Sequence, residues 1–332
     1  MSSPGRFSKA FYLIAAGLIV LGLLEFTGFR STLPNRRGIV SENQIAVDSR
    51  DELAPPPLII QSWKTSSLPQ KFQRWSESWR LRNPSYGYLL STDASNRLLV
   101  AQHFPSFLPV YDAFDREIYR ADSVRYVYMY ALGGMYADLD TVSLKPLDSL
   151  WKRYSKASPG VFGQAYLGRM GNDEDFGHGL PNAWMASTPG HPLWLFVLKR
   201  IFDVEVSKLA LVRPEEQTGP MALFNAVQDF KAWSRSPSPS TSISIGGRTF
   251  PLPSPGQHVL QILPTPIVYP LDWRAFFDHP DDKGIAACHA KYDGFNETMC
   301  NERLKLSESD AFVMTYWSAT WDGVNEKSLG KQ

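Results

Sequence analysis

Two glycines, Gly133 and Gly134, separate a long helical pattern from a short apolar run that closes on Asp138-Leu139-Asp140. No other stretch constrains the fold as tightly. Upstream, the spacing of apolar residues predicts a helix from about Asp112 to Leu132. A glycine pair suits the end of such a helix, because glycine enters left-handed backbone conformations at little cost. Downstream, Met135 to Leu139 is expected to be a strand. Side chains alternate along a strand, so Met135, Ala137 and Leu139 would face a core while Tyr136, Asp138 and Asp140 share the other face. Two carboxylates so placed repel each other unless a cation is near. A divalent ion such as Mn2+ or Mg2+ suits these hard oxygen donors and leaves coordination positions for a diphosphate.

The surrounding pattern alternates. Leu58-Ile59-Ile60 reads as a buried strand, and Phe72, Trp75 and Trp79 recur at helical spacing over residues 70–82. Tyr86 to Leu90 reads as another strand, closing on Ser91-Thr92-Asp93. Strands alternating with helices imply an α/β sheet with parallel elements. Further on, His191–Leu209 and Met221–Trp233 read as helices, the first with Pro192 at its start. Residues 234–256, rich in Ser, Pro and Gly, are expected to be a loop or insertion. There is no internal repeat.

The N-terminus carries Arg6 and Lys9, then an apolar stretch from Phe11 to Phe29 broken only by Glu25, Thr27 and small residues. As a helix it would span ~28 Å, the thickness of a bilayer's hydrocarbon. No small-x-small cleavage site follows, which favours an uncleaved signal anchor over a signal peptide. The expected layout is a cytosolic tail (1–10), a transmembrane signal anchor (11–29), a stem (30–57) ending in Pro55-Pro56-Pro57, and a catalytic domain (58–325). Arg30, Arg36 and Arg37 make the far flank as basic as the near one, so flanking charge does not set orientation. A lumenal domain is expected from the secretory character of the rest. Cys288 and Cys300, the only cysteines, flank the sequon Asn296-Glu297-Thr298. In a lumenal domain they read as a disulfide beside a glycosylation site at Asn296; two free thiols and an unused sequon are the alternative. Two Cys with His289 give no four-ligand zinc spacing. The 34 basic residues nearly cancel the 33 acidic ones, so no basic excess points to nucleic acid.

Asp122 and Arg125 stand three apart on the expected helix and share a face. Taken alone they fit a surface ion pair. Beside the glycine and aspartate motif they fit a phosphate or sugar contact. Asp138-Leu139-Asp140-Thr141-Val142 also matches the short signature of haloacid-dehalogenase-like phosphatases, where the first Asp is a nucleophile. That chemistry needs a later acidic strand end, and Asp281-Asp282 follows His279-Pro280 in an apparent loop.

Taken together, these residues resemble glycosyltransferase family 32, the group that includes fungal α-1,6-mannosyltransferases and mannosyltransferases of inositol phosphoceramide. Arg120-Ala121-Asp122, Arg125-Tyr126 and Gly133-Gly134-Met135-Tyr136-Ala137-Asp138-Leu139-Asp140 carry most of the likeness. Leu58 to Thr65, Asn83-Pro84-Ser85-Tyr86, Asn182 to Ala186, Pro189 to Pro192 and Thr218-Gly219-Pro220 follow the family's further blocks in order. The resemblance spans roughly residues 58–322. It implies a GT-A-type nucleotide-sugar-binding fold in a Golgi membrane protein of single-pass type II topology. It implies retaining transfer of a hexose from a GDP- or UDP-sugar, with mannose from GDP-mannose foremost, to a glycan or glycolipid. Mn2+ (or Mg2+) would be the metal. Asp140 would bind it directly, and Asp138 would bind metal, ribose or sugar. Trp63 would stack on the donor base, although it equally suits a core. Asp122, Arg125, Asn182 and Trp321 would complete the donor site. No catalytic nucleophile is nominated. The family's C-terminal block carries a His that can complete the metal site, where this chain has Thr315 or Tyr316. Water and phosphate, Asp322 or His289 are the candidate replacements. That departure keeps a non-catalytic glycan-binding or scaffolding member as the alternative.

Overall fold

The computed structural model describes residues 53–156, 158–203 and 213–319. The expected tail, membrane anchor, most of the stem and Trp321 lie outside these residues. Among the described residues no helix is long and apolar enough to cross a membrane.

The strands are β1 (Leu58–Ser62), β2 (Gly87–Ser91), β3 (Gly134–Ala137), β4 (Thr141–Ser143), β5 (Gly163–Gly168), β6 (Trp184–Ser187), β7 (Ser242–Ile245), β8 (Arg248–Pro251), β9 (His258–Leu263) and β10 (Val313–Thr315). The helices are α1 (Gln70–Arg82), α2 (Asp93–His103), α3 (Leu108–Ala113), α4 (Glu117–Ala131), α5 (Leu147–Tyr154), α6 (Leu193–Phe202), α7 (Pro214–Gln217), α8 (Pro220–Arg235), α9 (Ala275–Asp278), α10 (Lys283–Ala286) and α11 (Glu297–Arg303).

Six strands form the central sheet in the order β2-β1-β3-β6-β5-β9. β1 runs parallel to β2 and β3, and β5 parallel to β9. β6 is antiparallel to both neighbours. No helix lies between β5 and β6, so no crossover returns the chain to the starting edge, and the strand direction reverses. Alternation along β1 explains the two cores. Ile60 joins Tyr136, Leu167 and Met185 against α4, α6 and α8. Ile59 joins Met135, Ala137 and Trp184 against Leu150 and Trp151 of α5.

Helix α1 covers residues 70–82 as its spacing predicts, burying Phe72, Trp75, Ser76 and Trp79. It stops at Asn83, whose side chain donates to the Trp79 carbonyl (2.8 Å) and accepts from the Leu147 N–H (2.7 Å). Thr92 opens α2 with a reciprocal capping box to Ser95.

The helix expected from Asp112 to Leu132 is instead two, α3 and α4. Phe114 takes an extended conformation between them, only 2% exposed, and stacks on Tyr119 with centroids 5.4 Å apart. Burying that ring breaks the helix. At the other end Leu132 and Gly133 both donate to the Tyr128 carbonyl. Gly133 and Gly134 have φ of 65° and 82°. A Cβ on Gly133 would lie 2.8 Å from the Ser187 carbonyl oxygen, and one on Gly134 2.6 Å from that of Leu58. The pair is therefore required twice, for its left-handed turn and for close approach to β6 and β1.

Two further expectations change. Residues 234–256 are not only loop: β7 and β8 form a hairpin through Gly246 and Gly247, both at positive φ. Alternate residues Ile243 and Ile245, with Phe250, bury one hairpin face. The helix expected over 191–209 is described only as Leu193–Phe202, and residues 204–212 lie outside the description. Near the C-terminus a disulfide joins Cys288 and Cys300, with Cα atoms 4.8 Å apart. Asn296 is exposed and caps α11 by accepting from the Met299 N–H (3.0 Å).

Candidate active site

Strand β3 ends at Ala137, two residues short of the expected end, and this changes the geometry of the aspartates. Asp138 and Asp140 do not share a strand face; they lie in a turn at the strand's carboxyl end. The Asp138 N–H donates to the Ala183 carbonyl (2.8 Å). Its own carbonyl accepts from the Thr141 N–H (3.1 Å), the Thr141 hydroxyl (2.6 Å) and Gln61 Nε2 (3.2 Å). Those bonds curl the chain off the strand. Gln61, which stands where the family pattern commonly has His, is held by the Tyr88 hydroxyl (2.9 Å).

Behind the turn lies a buried polar cluster. Arg125, 8% exposed, pairs with Asp122 (3.2 Å) and Asp138 (3.1 Å) and donates to the Asn182 carbonyl (3.3 Å). Asn182 Nδ2 donates to Asp122 Oδ1 (3.1 Å), and the Thr218 hydroxyl donates to Asp122 Oδ2 (3.1 Å). The Tyr136 hydroxyl donates to Asp138 Oδ1 (2.6 Å). The structure thus brings Asp122, Arg125, Asp138 and Asn182 together, and adds Tyr136 and Thr218. Both oxygens of Asp122 are already engaged, so it serves first to hold Arg125, Asn182 and Thr218 in place.

Burial drives the titration of this cluster. It pushes the Asp138 carboxyl up to about 7; Arg125 opposes the rise, Asp140 adds to it, and the Tyr136 bond opposes it. Burial likewise raises Asp122, against Arg125, Asn182 and Thr218. Burial would lower Arg125, but Asp138, Tyr136 and Asp122 outweigh it and hold the guanidinium charged.

Asp140 is held differently. Its Oδ2 accepts from the Ser318 N–H (2.7 Å) and hydroxyl (2.9 Å), and its carbonyl accepts from the Tyr316 N–H (2.9 Å). Strand β10 delivers these groups by pairing antiparallel with β4, Thr315 opposite Thr141. Trp317 and Ala319 then take φ of 47° and 45°, unusual for side-chain-bearing residues, and present the intervening Ser318 to the turn. Trp317 stacks on Tyr269 with centroids 5.9 Å apart. Ser318 was missed from sequence; its signal was only its nearness to the C-terminal block.

Of the candidate replacements for the missing His, His289 is the side chain that lies among the described residues, and it and the residue at the His position, Tyr316, are both engaged in packing. The Tyr316 ring is buried against Trp75 and Phe295, and its hydroxyl donates to Asn301 Oδ1 (3.2 Å). His289 packs on Phe276, centroids 4.9 Å apart, and burial pushes it down to about 4. Among the described residues no group of three or more His, Cys, Asp or Glu is placed to hold a metal ion. Asp322 and Trp321 lie outside the description. His191, fully buried, accepts the Leu193 N–H at Nδ1 (3.3 Å) and donates from Nε2 to the Val259 carbonyl (3.3 Å), a packing role. Asp282 caps α10 and pairs with Arg303 (2.9 Å), which removes it from the phosphatase scheme.

Oδ2 of Asp138 and Oδ1 of Asp140 have no hydrogen bond among the described residues. They fit a hard divalent ion held by one or two carboxylates and completed by water and phosphate oxygens. Trp63 lies just past β1, half-buried, its ring 5.3 Å from that of Phe72.

Residues 69–156 match the family described as glycosyltransferase sugar-binding region containing DXD motif. Over 200 residues the chain is 32% identical to inositol phosphoceramide mannosyltransferase 3 of Schizosaccharomyces pombe, covering 56% of this chain and 50% of that protein. It is 28% identical over 180 residues to a mannosyl phosphorylinositol ceramide synthase of Saccharomyces cerevisiae, covering 54% and 44%. It is 35% identical over 106 residues to the initiation-specific alpha-1,6-mannosyltransferase of Candida albicans, covering 30% and 28%. The chain thus spans half or less of the length of these relatives. Among solved structures, PaToxG glycosyltransferase aligns with a TM-score of 0.41 and 16% identity, over 56% of this chain and 75% of that one.

Proposed function

We propose that this chain, whose residues 69–156 match a glycosyltransferase sugar-binding region containing a DXD motif, is a metal-dependent hexosyltransferase of GT-A fold. It would take mannose from GDP-mannose and place it, with retention, on a hydroxyl of a glycan or glycolipid. One observation carries the reading: the Asp138-Leu139-Asp140 turn at a strand's carboxyl end keeps one uncommitted oxygen on each carboxylate beside the buried Arg125 cation. Ligands of α/β sheets gather at such strand ends. The relatives, an inositol phosphoceramide mannosyltransferase and an initiation-specific α-1,6-mannosyltransferase among them, support mannose and a glycan or lipid acceptor.

Asp140 would bind the ion directly, because Ser318 fixes it from one side only. Asp138, already tied to Arg125 and Tyr136, would meet the ion, ribose or sugar through Oδ2. A divalent cation there would draw off negative charge from the departing nucleoside diphosphate. Trp63 offers a flat indole face for the base, Asn182 would line the sugar pocket, and Trp321 would add a donor contact. The disulfide and exposed Asn296 sequon support a lumenal, glycosylated domain. With the apolar stretch at 11–29, they support a single-pass type II protein of the Golgi membrane.

Purified protein tested against GDP- and UDP-hexoses is expected to turn over GDP-mannose with Mn2+ and to lose that activity in EDTA. Asp140→Ala is expected to abolish turnover while the protein stays folded with only a modest fall in melting temperature from the lost Ser318 bonds; full activity in that variant would sink the metal assignment. A second reading, a non-catalytic glycan-binding or scaffolding member, is favoured by the absence of His at Thr315 and Tyr316. It would be supported by glycan binding with every nucleotide-sugar left intact.

A further inference from the structure

Lys71 stands in the first turn of α1, on the face that runs beside the Asp140 turn. Four residues on, Trp75 packs against Tyr316 with centroids 5.1 Å apart. Four further on, Trp79 Nε1 donates to the Thr141 carbonyl and hydroxyl, both at 3.2 Å. Positions i, i+4 and i+8 follow one side of a helix, so the contacts of Trp75 and Trp79 align Lys71 with the strip that carries Asp140. The Lys71 ammonium lies 5.2 Å from the Phe72 ring centroid, and Phe72 packs on Trp63. Lys71 therefore stands between the indole offered to a base and the aspartate turn offered to a metal.

This ammonium is half-buried. Among the described residues it makes no hydrogen bond and no ion pair within contact distance; Asp140 reaches it only through space. Burial lowers its pKa, and Asp140 partly restores it. An ordinary surface lysine extends its charge into water, whereas this one keeps its charge over an aromatic ring beside a carboxylate it does not touch. A diphosphate, whose oxygens can meet an ammonium and a carboxylate-held ion at once, suits a cation placed in this way.

We propose that Lys71 is a diphosphate-binding residue of this site, contacting the phosphate oxygens of the donor between Trp63 and Asp140. The assignment rests on the nucleotide-sugar reading and adds a protein cation to the charge that an ion at Asp140 would supply. Such a cation favours nucleoside diphosphate over monophosphate, because the second phosphate adds charge and acceptor oxygens.

The test measures affinities of GDP, GMP, UDP and UMP by calorimetry, in EDTA and in Mn2+, for the wild type, Lys71→Met and Lys71→Arg. Lys71→Met is expected to lower the diphosphate-to-monophosphate affinity ratio about ten-fold in EDTA, with Lys71→Arg recovering most of it. A Lys71→Met protein with an unchanged ratio overturns the proposal. So does an equal loss for both nucleotides, which would mark a packing effect through Phe72 and Trp63. If the wild type binds no diphosphate in either condition, the nucleotide-sugar reading falls and this assignment falls with it. Normal wild-type binding with an unchanged variant ratio removes the Lys71 role alone.

Discussion

Asp138 and Asp140 are two residues apart and chemically identical, yet the fold treats them in opposite ways. Asp138 belongs to a buried cluster closed by Arg125, Tyr136 and, through Asp122, by Asn182 and Thr218. Asp140 belongs to the rim, fixed by the backbone and hydroxyl of Ser318. The first carboxylate is tied to a permanent cation and keeps about a quarter of its side-chain surface exposed. The second is oriented by neutral donors and leaves its other oxygen without a hydrogen bond among the described residues. Spacing in a motif therefore does not assign roles; the partners brought by the rest of the chain do.

Three measurements sharpen the contrast. The largest effect is expected from Arg125→Met, which leaves Asp122 buried, and Asp138 partly buried, without their cation. Its cost should be about 3–5 kcal/mol, read as a lower urea midpoint. A change under about 1 kcal/mol would place the cluster in the class of exposed pairs and erase the distinction. Next comes Ser318→Ala, which removes one of two donors to Asp140 Oδ2. Stability should fall by only about 1 kcal/mol, while the Mn2+ requirement should rise about ten-fold. A loss of stability matching that of Arg125→Met would show the rim to be as structural as the interior.

The smallest effect is a pH dependence. Asp138 titrates near 7 in the folded protein and near ~3.9 when unfolded, so the folded state holds an extra proton between those values. Stability from this group is complete below the unfolded pKa and is lost as pH rises through about 7. His191, pushed down to about 3, and His289, to about 4, act the opposite way: their stabilisation is present above ~6.5 and lost in acid. Between pH ~6.5 and ~8 the unfolded-state histidines are still losing protons, which raises stability, while Asp138 lowers it. In metal-free protein Asp138→Asn should therefore shift the slope of melting temperature against pH upward across that interval relative to the wild type. An unchanged slope in the variant would remove Asp138 as a contributor.

Much of the frame was legible because its causes are local. The 70–82 helix follows from aromatic spacing, and the strand at Leu58 from a compact apolar run. The glycine pair announces a turn that no other residue could make. Other features have causes distant in sequence. Phe114 breaks a continuous helical pattern because Tyr119 and the core need its ring. The Ser- and Pro-rich 234–256 stretch hides a hairpin because only Ile243, Ile245 and Phe250 record its buried face. β3 stops at Ala137 because Gln61 and Thr141 draw on the Asp138 carbonyl.

The sequence by itself determined which groups would meet at the strand end: Asp122 and Arg125 one helical turn apart, the glycine turn, and the two aspartates after it. Helical periodicity, together with the stereochemistry of glycine and the short distance along the chain, suffices for that. Only the tertiary structure decided which aspartate meets the Arg125 cation, which meets Ser318, and what else holds each. Ser318 reaches Asp140 across 178 positions, and Lys71 comes alongside from a helix anchored by Trp75 and Trp79. Such meetings depend on strand pairing and core packing between remote segments, and no local pattern encodes them.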